Sequence, residues 1–186
     1  MELYGSYTSP FVRHCRIALL QTELDCEFIE IDAIQSAELS PTKKVPLLID
    51  CELKLTDSTS ILTHLYELVG EGFLTDVEDV ELYHMSNTVL DACVNLVMLK
   101  KFDGITPEKS IYLTRQQQRI ESGLVAINDK NFNQALPLTN AEIRLAAFVD
   151  WALFRNLFSL ENYPQLQKLL DLANTDPIFA QTAPKE

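Results

Sequence analysis

The chain changes character near residue 70. Before it, short apolar runs alternate with helix-type patterns; after it, helical periodicity runs almost to the end. A strand is expected over residues 2–4, and Gly5-Ser6-Tyr7-Thr8 reads as a loop. Ser9-Pro10 then opens a helix, because Ser is a good N-cap and Pro is favoured in the first turn. Phe11, Cys15, Ala18 and Leu19 form its apolar stripe. A second strand is expected over 27–31, rich in Ile and Phe, and residues 33–43 read as irregular or weakly helical. The run Val45-Pro46-Leu47-Leu48-Ile49 looks like a buried strand, with Pro46 at a special position since it cannot donate to a ladder. After a polar turn and a strand over 53–56, Asp57-Ser58 caps a helix carrying Ile61, Leu62, Leu65, Leu68 and Val69, which Gly70 ends. Strand, helix, strand, strand, strand, helix makes a parallel βαβ unit followed by a hairpin and a packing helix, one compact α/β sheet domain.

The second half carries four helix patterns. The first, over 76–101, is long and breaks at Asp103-Gly104; Thr106-Pro107-Glu108 then restarts a helix that runs to about Asn128. Leu138-Thr139-Asn140-Ala141-Glu142-Ile143 is the strongest local signal. Thr139 and Glu142 form a capping box, and Leu138 and Ile143 form a hydrophobic staple. A last helix is expected over Pro164–Ala173.

Composition narrows the function. Fifteen basic against 27 acidic residues give a formal charge of −12, a field that repels phosphate backbones and anionic lipid. Neither nucleic acid nor a membrane is therefore the expected partner. The four cysteines form no Cys-x-x-Cys, and the three histidines do not cluster with them, so neither a metal site nor a disulfide framework is expected. No apolar run approaches the ~18 residues a membrane span needs, and no leader pattern is present; a cytoplasmic protein is expected. Glycine-rich phosphate loops, His-Glu-x-x-His and Gly-x-Ser-x-Gly are all missing.

Five segments, taken in order, resemble the glutathione transferase superfamily. Ser9-Pro10-Phe11-Val12-Arg13 is similar to the turn opening the first helix of its serine- and cysteine-type members. Lys43-Lys44-Val45-Pro46-Leu47-Leu48 resembles its Lys-Val-Pro-x-Leu segment, in which the Val-Pro bond is cis, and Leu55-Thr56-Asp57-Ser58 resembles its Leu-x-Glu-Ser segment. Residues 139–150 and the pair Asn162-Tyr163-Pro164-Gln165-Leu166 and Phe179-Ala180-Gln181-Thr182 are similar to its C-terminal helices. The resemblance implies a thioredoxin-like N-terminal domain over residues 1–75 and an all-α C-terminal domain over 76–186, shorter than the family's usual second domain. It also implies glutathione as co-substrate, no metal, and a homodimer.

The same resemblance assigns roles. Ser9 would donate a hydrogen bond to the glutathione thiolate, with Tyr7 and Thr8 as rival donors. The Val45 backbone would pair with the cysteinyl unit. Ser58 would hold the γ-glutamyl carboxylate, and Asp57, standing where the family has Glu, the α-amino group. Lys44, beside Lys43, would meet the glycyl carboxylate. Tyr7 and Phe11 would line an apolar pocket for the acceptor, between the domains. The function implied is conjugation of glutathione to a small, apolar electrophile. A non-catalytic binding or regulatory module is the alternative. A glutathione-dependent thiol–disulfide reductase ranks third, because that chemistry needs a low-pKa cysteine where this chain has Ser9.

Overall fold

A computed structural model describes residues 1–185. They cluster into two compact units: Met1–Thr75 together with the chain from Ala173 onward, and Asp76–Leu172.

The first unit is built on a four-stranded sheet of order β2-β1-β3-β4, with β1 at Glu2–Gly5, β2 at Glu27–Glu30, β3 at Leu47–Asp50 and β4 at Leu53–Leu55. β1 and β2 are parallel and joined through α1 (Pro10–Thr22); β3 runs antiparallel to both β1 and β4. Side chains alternate along β1, Leu3 and Gly5 facing inward, as a half-buried strand requires. α1 packs on α3 (Ser58–Leu68). Their shared core includes Val12, Cys15, Ala18, Ile61, Leu62 and Leu65. Leu68 and Val69, expected on that face, are largely exposed, because the helix ends there and Gly70 turns the chain in the left-handed region at φ 76°.

Two elements differ from expectation. Residues 33–43 contain a regular helix, α2 (Ala33–Leu39), nucleated by a capping box in which Asp32 Oδ1 accepts from the Ile34 and Gln35 N–H groups while the Asp32 N–H donates to Gln35 Oε1. The run 45–49 enters its strand only at Leu47, with Val45-Pro46 outside the ladder.

In the second unit, α4 (Val77–Asp103) packs against α5 (Ile111–Asn128) and α6 (Asn140–Phe154). Buried residues cover nearly every side of α6, the mark of a central helix. Gly123 lets α5 approach α4 closely: a Cβ there would lie 2.4 Å from a Val89 methyl. Between α4 and α5 the expected restart at Thr106 is only a short 3₁₀ turn, Pro107–Lys109, and the helix is capped afresh by Ser110, whose Oγ accepts from Leu113 N at 3.3 Å. The capping box at Thr139 forms as expected: Thr139 N–H donates to Glu142 Oε2 at 2.8 Å, and Glu142 N–H to Thr139 Oγ1 at 3.2 Å. α7 (Pro164–Ala173) starts on the Asn128 side chain, which accepts from Gln165 and Leu166. A further five-residue helix, α8 (Pro177–Gln181), belongs to the first unit.

Candidate functional site

Strand register brings three segments to one end of the sheet. β1 ends at Gly5 and β3 begins at Leu47, with Tyr4 opposite Leu47. β4 ends at Leu55, opposite Leu48. The chain leaving β1 toward Ser9, the chain entering β3 through Val45-Pro46, and the chain leaving β4 toward Ser58 therefore emerge side by side. Neighbouring strands lie ~4.8 Å apart, so the three exits span about 10 Å from β1 across β3 to β4. Two of them lead directly into helix N-termini, where unpaired N–H groups and the helix dipole favour an anion.

Ser9 is the N-cap of α1, in extended conformation and half-buried. Its Oγ accepts from the Val12 N–H at 3.3 Å, and its carbonyl from the Arg13 N–H at 2.9 Å. Accepting occupies a lone pair and leaves the hydroxyl proton available to donate elsewhere. The loop before it is tied locally. Ser6 and Thr8 share a hydroxyl–hydroxyl bond of 2.8 Å, and the Ser9 N–H donates to the Ser6 carbonyl at 3.1 Å. The Tyr7 ring packs edge-on to Phe28, with the Arg16 guanidinium 4.5 Å and the Lys185 ammonium 4.0 Å from its centroid. Phe11 is half-buried in the first turn of α1.

The Val45-Pro46 peptide is cis. The β1–β3 register stops at Leu47, so sheet pairing does not extend to Val45. Lys43 and Lys44 are exposed in the turn before it, Lys43 in the left-handed region at φ 53°. At the third exit, Asp57 is the N-cap of α3, its Oδ1 accepting from the Thr59 N–H at 2.8 Å. Asp57 is exposed, and Ser58, the first helical residue, is buried. Ser9, Val45, Asp57 and Ser58 thus stand at one end of one sheet, with Lys44 next to Val45.

Two features near this end carry no signal in the local sequence. Gly5 is needed for close approach, since a Cβ there would fall 2.5 Å from a Val12 methyl. Arg13 is buried and bound to the C-terminal segment. Among the described residues no group of His, Cys, Asp and Glu is arranged to hold a metal ion, and no helix is long and apolar enough to cross a membrane.

Comparison with known proteins bears on this arrangement. The glutathione S-transferase N-terminal domain family matches residues 3–72. The uncharacterized GST-like protein YibF of Escherichia coli (strain K12) is 26% identical, the alignment covering 99% of this chain and 98% of that protein. A glutathione S-transferase from Methylobacillus flagellatus KT, solved with GSH bound, superposes with a TM-score of 0.86 at 21% identity over 99% of both chains. A glutathione transferase family member from Pseudomonas fluorescens Pf-5, solved with S-(propanoic acid)-glutathione, superposes with a TM-score of 0.81 at 24% identity over 99% of both chains. The chain has the glutathione transferase fold, with its thioredoxin-like N-terminal sheet. The family match is confined to residues 3–72, while the likeness of fold extends over 99% of the chain.

Proposed function

We propose that the chain is a glutathione transferase, conjugating glutathione to a small, apolar electrophile, with Ser9 as the thiolate's hydrogen-bond donor. The observation that carries this reading is the common sheet end shared by Ser9, Val45 and Asp57-Ser58. The span of about 10 Å across the three strands is on the scale of a short extended peptide. The order across the sheet also matches glutathione. Carboxylate and amine would sit at Ser58 and Asp57 beyond β4, the cysteinyl backbone at Val45 before β3, and the sulfur at Ser9 beyond β1. Lys44 would meet the glycyl carboxylate.

A thiol of pKa ~8.5 is mostly protonated at neutral pH. A donor hydroxyl and a helix N-terminus both favour the charged form. Ser9 supplies both, its oxygen polarised by the Val12 N–H that it accepts. The thiol proton leaves to solvent, the sulfur forms a bond to the electrophilic carbon, and the displaced group departs with its electron pair. Asp57 commits Oδ1 to its cap, and its second oxygen is the one assigned to the ammonium. Tyr7 and Phe11 are retained as candidates for contact with the acceptor. Two copies of the chain, in the cytoplasm where thiols stay reduced, complete the reading.

Glutathione titration tests it. At one hundred times Kd, glutathione should stabilise the fold by about 2.7 kcal/mol. For a chain of this length that raises Tm by roughly 5–10 °C. Ser9→Ala should lower conjugation of an electrophilic aromatic about tenfold or more, as expected for a lost hydrogen bond to a charged group. The lost cap should cost about 0.5–2 kcal/mol of stability. Unchanged turnover would move the donor role to Tyr7, Thr8 or the backbone. No thermal shift at millimolar glutathione would leave the non-catalytic module.

A further inference from the structure

Ser9 is bracketed by the C-terminal segment. On one side stands Arg13, whose backbone N–H closes the first turn of α1 on the Ser9 carbonyl at 2.9 Å. Its side chain, only 2% exposed, is held by the end of α8. Nε donates to Thr182 Oγ1 at 3.3 Å, a terminal nitrogen donates to the Phe179 carbonyl at 3.1 Å, and the guanidinium lies 4.0 Å from the Phe179 ring centroid. The Thr182 hydroxyl donates to the same carbonyl at 2.8 Å, so ring, carbonyl and hydroxyl form one rigid seat. On the other side stands Tyr7, two residues before Ser9, with the Lys185 ammonium over its ring. Residues 177–185 therefore touch the chain both before and after Ser9.

We infer that residues 177–185 form a clamp that holds the 5–9 loop and the first turn of α1, with Arg13 as a positioning residue for the Ser9 hydroxyl. A buried guanidinium is costly unless its donors are satisfied, so Arg13 keeps α8 seated. Five residues are too few for a helix to hold itself, so α8 in turn depends on that seat. The cap bond of Ser9, at 3.3 Å, is long for an N–H···O bond and fixes the oxygen weakly by itself. Arginine suits the seat because its planar fork donates to two acceptors in a fixed geometry close to the ring, whereas an ammonium is a compact point charge on a flexible stem. The clamp stands on these contacts; its catalytic consequence rests on the function proposed above.

Amide hydrogen exchange on the full-length, ligand-free chain tests the clamp, comparing the parent with Lys185→Gln, Arg13→Lys and Thr182→Val. The Val12 and Arg13 amides, whose acceptors are both on Ser9, should exchange about tenfold faster in each variant, while amides of α5 and α6 keep their rates. In conjugation assays the variants should lose about tenfold in kcat with glutathione affinity within about threefold of the parent, since the groups assigned to bind its carboxylates are untouched. Lys185 is exposed, so Lys185→Gln reads the clamp even if the buried variants fail to fold. Unchanged Val12 and Arg13 exchange in folded Lys185→Gln and Arg13→Lys overturns the clamp. Faster exchange with unchanged kcat overturns the positioning role. A parent that binds no glutathione refutes the proposed function instead, and the exchange rates still decide the clamp.

Discussion

Replacing Gly5 by alanine isolates the contact that sets α1 against the sheet. Gly5 does not occupy the left-handed region, so its backbone accepts an L side chain and the cost of the change is steric. The new Cβ would stand 2.5 and 2.7 Å from the two methyls of Val12, where carbon atoms normally rest ~3.5–4.0 Å apart. Val12 has no room to yield: it is fully buried, and a β-branched residue in a helix has one favoured rotamer. The first turn of α1 must then retreat by about 1 Å. Overpacking of this kind costs ~1–3 kcal/mol. At this chain length the melting temperature should fall by about 2–12 °C. Ser9 moves with that turn, and a 1 Å misplacement can cost up to about a hundredfold in rate. The assay is a double-mutant cycle by thermal unfolding. Val12→Ala removes the obstructing methyls, so the double variant should be more stable than the sum of the single changes predicts, with a coupling of about 1 kcal/mol or more. A Gly5→Ala protein melting within a degree of the parent, or a cycle with no coupling, would refute the assignment of Gly5 to close approach.

Glu142→Ala should destabilise by about 2–4 kcal/mol in chaotrope unfolding, because it orphans the Thr139 N–H and also the Asn133 N–H, which donates to Oε1 at 2.6 Å. Glu142→Gln, keeping one acceptor, should cost about half as much. Native thiol labelling should show one fast phase, from exposed Cys51, which Cys51→Ser abolishes. Cys93, whose thiol burial pushes up to about 12, should label only on unfolding; a second fast native phase in the parent that Cys93→Ser removes would contradict its burial.

Punctuation residues made most of the first unit readable. Ser9-Pro10, Asp57-Ser58 and Gly70 act within a few residues of themselves, and the helices start or stop there. α2 escaped because it is short and lacks a core stripe: Ile34 is exposed, and only the Asp32-x-x-Gln35 capping box marks it. The restart of α5 was misplaced because Thr106 and Ser110 are both capping residues. Ser110 prevails because Leu113, the residue whose N–H it accepts, is fully buried. The four motif positions at the sheet end were readable as residues, but their convergence depends on strand register. The sequence allows Arg13 either to steady the turn or to make a surface ion pair, but the seat itself is not readable from it. Its partners lie 166 and 169 residues away, and a lone arginine in an amphipathic helix is ordinarily solvated.

Charge placement bears on how so acidic a chain could hold an anion at the proposed site. A net charge of −12 repels an anion at long range, yet that repulsion is screened beyond about 8–10 Å in physiological salt. Within that distance the local field decides. α4 and α6, which belong to the other unit, carry Glu78, Asp79 and Glu142 in their first turns, neutralising their own N-termini. α1 and α3 carry no acid in theirs. The N-termini of the two helices leading from the candidate site therefore keep their positive ends for a ligand. Asp57 is the N-cap carboxylate of α3, as Asp32 is of α2 at the same sheet end, and its cap bond to Thr59 directs part of its charge into the helix. A zwitterionic γ-glutamyl group, with an amine beside its carboxylate, fits Asp57 next to Ser58 better than a simple dianion would.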